Sequence, residues 1–133
     1  MNIVRKVKEL NLSDGSYVVV GSGTLDALGI REANDIDLVV SPEVYEKLKQ
    51  EGWEGKIHDD GTSFLVHNLY EVALTWDDVS GKPNLASLLQ DAHIVDSIPL
   101  VNLERLMEWK KRKGRDKDIT DVELIKDYLE KKA

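Results

Sequence analysis

Two acids stand at the mouth of an apolar run: Asp35-Ile36-Asp37 leads directly into Leu38-Val39-Val40. Strand side chains alternate faces, so both carboxylates project to one side while Ile36 enters the core from the other. Carboxylates this close repel, and each is raised in pKa unless a cation sits between them. Mg²⁺, or Mn²⁺ in its place, suits that role, because it takes carboxylate oxygens at about 2.1 Å and keeps room for phosphate and water. The competing reading is an edge-strand pair facing solvent, where charge deters aggregation.

Glu71 offers a third carboxylate, again inside an apolar stretch, Leu69-Tyr70-Glu71-Val72-Ala73-Leu74. If that strand neighbours Asp35–Val40, three carboxylates converge. Such a trio can hold two metal ions about 3.5–4 Å apart, the arrangement used for in-line phosphoryl or nucleotidyl displacement. Otherwise Glu71 is the exposed side of an amphipathic strand, with Asp77 or Asp78 as its substitute. Upstream, Gly21-Ser22-Gly23 ends a strand and opens a helix, where backbone N–H groups can seat a phosphate. It lacks both the glycine that a dinucleotide fingerprint needs at Asp26 and the Gly-Lys-Ser/Thr of a Walker loop. A simple tight turn accounts for it equally well.

These residues need elements to hold them. Helical spacing of Ile3, Val4, Val7 and Leu10 predicts a first helix over 2–10, and Tyr17–Val20 reads as a strand. Thr24 is placed to cap a short helix through Leu28, which Gly29 ends. Asp35–Val40 is the second strand, and Ser41-Pro42-Glu43 starts the next helix. From Trp53 to Trp76 the pattern is β, with Asp59-Asp60-Gly61 as a hairpin turn and Asn68 either separating two strands or interrupting one. Helices follow over 84–92, from the Asn102 cap onward, and after Gly114, where Ile119, Val122, Ile125 and Leu129 repeat at helical spacing. The order α-β-α-β-α-β-β-β-α-α-α predicts an α+β fold with a mixed sheet. It forms one domain over 1–133, a sheet core to about residue 80 and a helical part from about 84.

Composition narrows the function classes. With 133 residues and 41% hydrophobic content the chain can bury a core without staples, and its lack of cysteine removes disulfides, thiolate nucleophiles and cysteine zinc sites. The start, MNIVRKVKEL, has no apolar signal-peptide core, and no run is long enough for a membrane span, so a cytoplasmic location is expected. Net charge is −7, yet Lys110–Lys117 (KKRKGRDK) gathers six basic residues with one acid. A basic segment on an acidic body suits a small polyanion better than a long duplex, although a solvated lysine-rich helix end has the same composition. His58, His67 and His93 show no ligand spacing, and Trp53, Trp76 and Trp109 read as core or half-buried fillers.

Val20-Gly21-Ser22, a short helix, and Asp35-Ile36-Asp37 together resemble the Gly-Gly/Ser … Asp-x-Asp signature of the DNA polymerase β-type nucleotidyltransferase superfamily. Arg31 fits the G-x-R … DID spacing found in part of that group. Farther on, Leu103–Lys110 followed by Gly114-Arg115-Asp116-Lys117-Asp118 resembles the helix-Lys … Arg-x-Lys-Asp motif of AbiEii-like nucleotidyltransferases. The two blocks cover residues 17–40 and 98–125. The resemblance implies that Gly21 and Ser22 hold a phosphate of a nucleoside triphosphate, and that Asp35, Asp37 and Glu71 bind Mg²⁺ or Mn²⁺. Glu71 would help to activate the acceptor hydroxyl, where the superfamily more often has Asp. Arg31 would join the nucleotide site, and Lys110, Arg115 and Lys117 would offset triphosphate charge. Asp118 would orient one of those cations or act near the acceptor. The acceptor, whether small molecule, RNA or protein, is left open, and no membrane is involved. The alternative implied by the same resemblance is a non-catalytic nucleotide-binding or regulatory module of toxin–antitoxin type, with a protein partner. A third reading is a plain structural domain whose basic helix binds RNA backbone.

Overall fold

The run Tyr17-Val18-Val19-Val20 is buried along its whole length, so this strand must lie at the centre of a sheet covered on both faces. In the computed structural model, which describes residues 1–77 and 81–132, it does. The chain order is α1 (Ile3–Glu9), β1 (Tyr17–Val20), α2 (Ser22–Ala27), β2 (Ile36–Val40), α3 (Pro42–Gln50), β3 (Glu54–Ile57), β4 (Ser63–His67), β5 (Tyr70–Ala73), α4 (Leu85–Leu89), β6 (His93–Val95), β7 (Ile98–Leu100), α5 (Leu103–Lys113) and α6 (Asp116–Lys132). The seven strands form one mixed sheet in the order β3-β4-β5-β2-β1-β7-β6. β1 runs antiparallel to β2, with Val20 opposite Asp37, while β2 runs parallel to β5, with Asp37 opposite Glu71.

Alternation divides the core in two. Val19, Leu38 and Val40 pack with Ile3 and Val7 of α1 and with Val44 and Leu48 of α3. Val18, Val20 and Val39 pack on the other face with Leu88 of α4, Leu106 of α5 and Ile125 of α6. Each such valine or leucine, taken fully out of water, contributes roughly 1.5–3 kcal/mol before the entropy of ordering is counted. Asp37 and Glu71 face the second layer, and Asp37 lies in the same alternating row as Val39.

The caps act locally. Ser41 Oγ accepts the N–H of Val44 at 3.2 Å beneath Pro42, and Asn102 Oδ1 accepts the N–H groups of Glu104 and Arg105 at 2.9 and 3.2 Å. Gly114, with φ 64°, closes α5 in the left-handed region and leaves only Arg115 before α6. The α5–α6 pair therefore packs through its facing sides.

Several expectations are corrected. The expected order assigns no element to residues 93–100, where β6 and β7 form; their turn, Asp96-Ser97, takes positive φ at both residues without glycine, and Pro99 sits inside β7. Of the two readings open for Asn68 the separation holds: at positive φ, it forms with Leu69 the two-residue hairpin loop between β4 and β5. Gly21 rather than Thr24 stands at the N-cap of α2, and the Thr24 hydroxyl donates to the Val19 carbonyl at 3.4 Å. α4 ends at Leu89, short of Ala92. Ile119 belongs to no inner face, being 57% exposed. β2 begins at Ile36, leaving Asp35 exposed in the bend before it. Among the described residues, no helix is long and apolar enough to cross a membrane.

Candidate active site

The sheet brings Asp37 and Glu71 side by side because parallel pairing in register puts both on one face of neighbouring strands. Asp37 is largely buried, and one of its oxygens, Oδ1, is buried with no hydrogen-bond partner. Burial first, then the negative charges of Glu71 and Asp35, push its carboxyl up to about 8, and Lys110 offsets only part of that. Gly21 is the close neighbour on β1's exit. A Cβ built there would stand 2.9 Å from Asp37 Oδ2, and its φ of +67° disfavours any L side chain. Glycine at this position keeps the space over the carboxylate open. The conformational need and the steric need coincide.

Asp37, Glu71 and Gly21 line a cleft of about 450 Å³, a size suited to a small ligand. One wall is the β3–β4 turn with His58, Asp60 and Thr62; the other carries Trp76, Trp109 and Lys113. His58 Nε2 lies 3.7 Å from Glu71 Oε1, its ring stacked on Phe64 at 3.9 Å between centroids. Trp76 and Trp109 stack at 5.7 Å, and the indole N–H of Trp109 is buried without a partner. Among the described residues, Asp37 Oδ1 and Trp109 Nε1 are the two buried side-chain polar atoms left unpaired, and both residues border this cleft. A larger hollow of about 780 Å³ beside α1 contains no such atom.

The donor set tests whether a divalent cation fits. Two apposed carboxyl groups, one with an orphaned buried oxygen, offer hard oxygen ligands whose mutual repulsion a cation would relieve, which suits Mg²⁺ or Mn²⁺. The expected convergence of three is corrected: among the described residues no three Asp, Glu, His or Cys side chains are gathered to hold a metal ion. Asp35 precedes the strand, so alternation does not hold it beside Asp37. Its charge still reaches Asp37. Asp77 also borders the cleft, whereas Asp78 lies outside the described residues.

A second polar cluster lies behind this wall. Arg31 donates to both oxygens of Asp121, at 2.6 and 2.8 Å, and to Ser22 Oγ at 3.0 Å. Lys110 Nζ is 2.8 Å from Asp121 and 3.6 Å from Asp118, and Arg115 closes bidentately on Asp118 at 2.5 and 3.2 Å. Side-chain exposure is 3% for Lys110, 0% for Asp118 and 3% for Asp121. Burial alone would raise both aspartates, but their cationic partners outweigh it and hold each below the usual carboxylate range. The cluster fastens α2 and the Arg31 loop to α5 and α6.

No family model matches the chain, and no curated protein matches it. Among solved structures it is similar to the crystal structure of ANT(2")-Ia in complex with adenylyl-2"-tobramycin. The two share 17% identity over 96% of this chain and 86% of that one, with a TM-score of 0.55. The fold is nucleotidyltransferase-like. Within this fold, the structure unites Gly21, Asp37 and Glu71 at the cleft. It gathers Ser22, Arg31, Lys110, Arg115 and Asp118 into the cluster behind, and leaves Lys117 exposed on the first turn of α6, outside the cleft lining. Of the two roles open to Asp118, orienting a cation or acting near the acceptor, its placement fits the first: it pairs with Lys110 and Arg115 and lies outside the cleft lining. Asp121, His58, Lys82 and Lys113 were missed. Asp121 carried a signal, an acid three residues after Asp118 on one helix face; His58 carried none, since only strand pairing brings it to Glu71.

Proposed function

We propose that the protein transfers a nucleoside monophosphate from an NTP to a hydroxyl group and releases pyrophosphate. The observation that carries this reading is the Asp37–Glu71 pair with its orphaned oxygen, held beneath the side-chain-free approach at Gly21. Asp37 and Glu71 would hold Mg²⁺ or Mn²⁺, and Asp35 contributes only its charge to their surroundings. When bound, the metal supplies charge neutralisation at the transferring phosphoryl group. The acceptor oxygen forms its bond to the α-phosphorus as the bond to the pyrophosphate oxygen breaks. The hydroxyl proton passes to Glu71, which His58 flanks. Gly21 leaves the backbone at the β1–α2 junction open to a phosphate, and Ser22 is fixed there by Arg31. Lys110, Arg31, Arg115 and Asp118 position the wall. The fold likeness to a protein solved with adenylyl-2"-tobramycin, together with the cleft size, supports a small-molecule acceptor.

The test is incubation with each α-labelled NTP, Mg²⁺ and a panel of hydroxyl-bearing small molecules, including aminoglycosides, with pyrophosphate release measured in parallel. Transfer that disappears in Asp37→Asn and Glu71→Gln supports the reading. A second reading, a nucleotide-binding or regulatory module without catalysis, is favoured by one observation. Of the cations expected to meet the triphosphate, Lys110 and Arg115 are committed to Asp121 and Asp118, and Lys117 lies outside the cleft lining. Tight NTP binding with no transfer to any acceptor would select it.

A further inference from the structure

Three of the four basic residues that sequence motifs assign to the nucleotide site are in no position to give up their partners. Lys110 is 3% exposed and paired to two buried carboxylates. Withdrawing it would strand them, and breaking a buried pair is strongly destabilising. Arg31 spends its donors on Asp121, Ser22 and the Glu32 carbonyl, and Arg115 is bidentate on a fully buried Asp118. The fourth, Lys117, lies outside the cleft lining. Two other lysines do line the cleft. Lys113, the last residue of α5, has a side chain 37% exposed, lies 5.4 Å from the Trp109 ring centroid and is 3.4 Å from Asp77. Lys82 has a side chain 45% exposed and is 2.7 Å from Asp60 in the β3–β4 turn.

Exposed pairs of this kind contribute little, so each ammonium can exchange its aspartate for a more highly charged phosphate at small cost. We infer that Lys113 and Lys82 form the polyphosphate-binding cations of the cleft, and that the buried Lys110–Asp121 cluster only positions the wall behind them. This inference rests on the nucleotidyltransferase reading and names the residues that would recognise its triphosphate. Trp109 helps to set Lys113 in place by the attraction of its ring for the ammonium, and Asp77 and Asp60 hold the two lysines until the anion arrives. The same aspartates oppose binding slightly, so removing one should strengthen it.

The experiment is calorimetric titration of the full chain, in Mg²⁺, with non-hydrolysable analogues of ATP, CTP, GTP and UTP, with inorganic tripolyphosphate and with the matching nucleosides. Lys113→Gln and Lys82→Gln are each expected to weaken analogue and tripolyphosphate binding about tenfold, the loss expected of one charge-assisted contact. Lys113→Arg should stay near wild type, and Asp77→Asn should bind tripolyphosphate severalfold more tightly. Nucleoside affinity and the urea midpoint should not move in any of them. Wild-type affinity for analogue and tripolyphosphate in both glutamine variants would overturn the inference and leave the nucleotidyltransferase reading standing. Loss of nucleoside binding in step with tripolyphosphate would overturn it too, as a general distortion. If the wild type binds none of the four analogues, the NTP reading itself falls, and this assignment with it.

Discussion

Asp37 should destabilise the metal-free protein that contains it, by an amount that depends on pH. Its carboxyl is pushed up to about 8 from an ordinary 3.8, by burial and by the charges of Glu71 and Asp35. The folded state therefore keeps a proton that the unfolded chain releases near pH 4, and stability falls as pH rises between those two values. At about 1.4 kcal/mol per pH unit, the ceiling is about 4 kcal/mol at pH 7 and about 6 above pH 8. Relaxation and water entry should reduce the measured effect to roughly half of that. Asp37→Asn removes the charge while keeping the shape and a donor toward Glu71. In urea titrations with EDTA, followed by tryptophan fluorescence, the variant should match wild type near pH 4.5. It should exceed wild type by about 2–3 kcal/mol at pH 8. Mg²⁺ should then stabilise wild type and not the variant. A variant no more stable than wild type at pH 8, or an advantage that does not change with pH, would refute the electrostatic account of this site.

Three other outcomes follow from the geometry. Gly21→Ala places a methyl 2.9 Å from Asp37 Oδ2 at a φ of +67°; thermal unfolding should show a loss of about 1–3 kcal/mol, and the Mg²⁺-induced stabilisation should vanish. Asp121→Ala leaves Lys110 and Arg31 facing a void, at a cost of about 3–5 kcal/mol; adding Lys110→Met should recover part of it, measured as the coupling in a double-mutant cycle. Asp118 and Asp121 are held below the usual range, so their contribution is complete above about pH 4 and is lost as pH falls through their folded values. Wild type should lose stability on that acid limb, and Asp121→Asn should show a shallower slope in the same titration.

How much of this was legible depended on the range of the interaction. Ser41-Pro42 and Asn102 announced their helices because caps act within three residues, and the β-branched Val18–Val20 run announced a strand, whose central place in the sheet only the pairing reveals. The Asp37–Glu71 apposition was legible as a conditional statement: it followed from alternation if β2 and β5 were neighbours, and they are. The β6–β7 hairpin was not legible, since three-residue strands with a proline and a non-glycine turn lack every local hairpin signal. Thr24 misled because Gly21, at a φ of +67° that favours glycine, took the cap position three residues earlier than hydroxyl chemistry alone suggested.

The basic segment holds the sharper lesson. KKRKGRDK reads as one positive block, yet helical geometry divides it by depth: Lys110 is buried, whereas Lys111, Arg112 and Lys113 are exposed. One helix turn separates Lys110 from Lys113, and that turn decides which ammonium meets carboxylates inside the fold and which borders the cleft. Spacing in the sequence could not make that division, because the acids that claim Lys110 come from α6, and their claim depends on how two helices pack. Charge near a site is not the same as charge available to it. Availability follows from what each cation would leave behind, and by that measure the buried set cannot leave and the exposed set can.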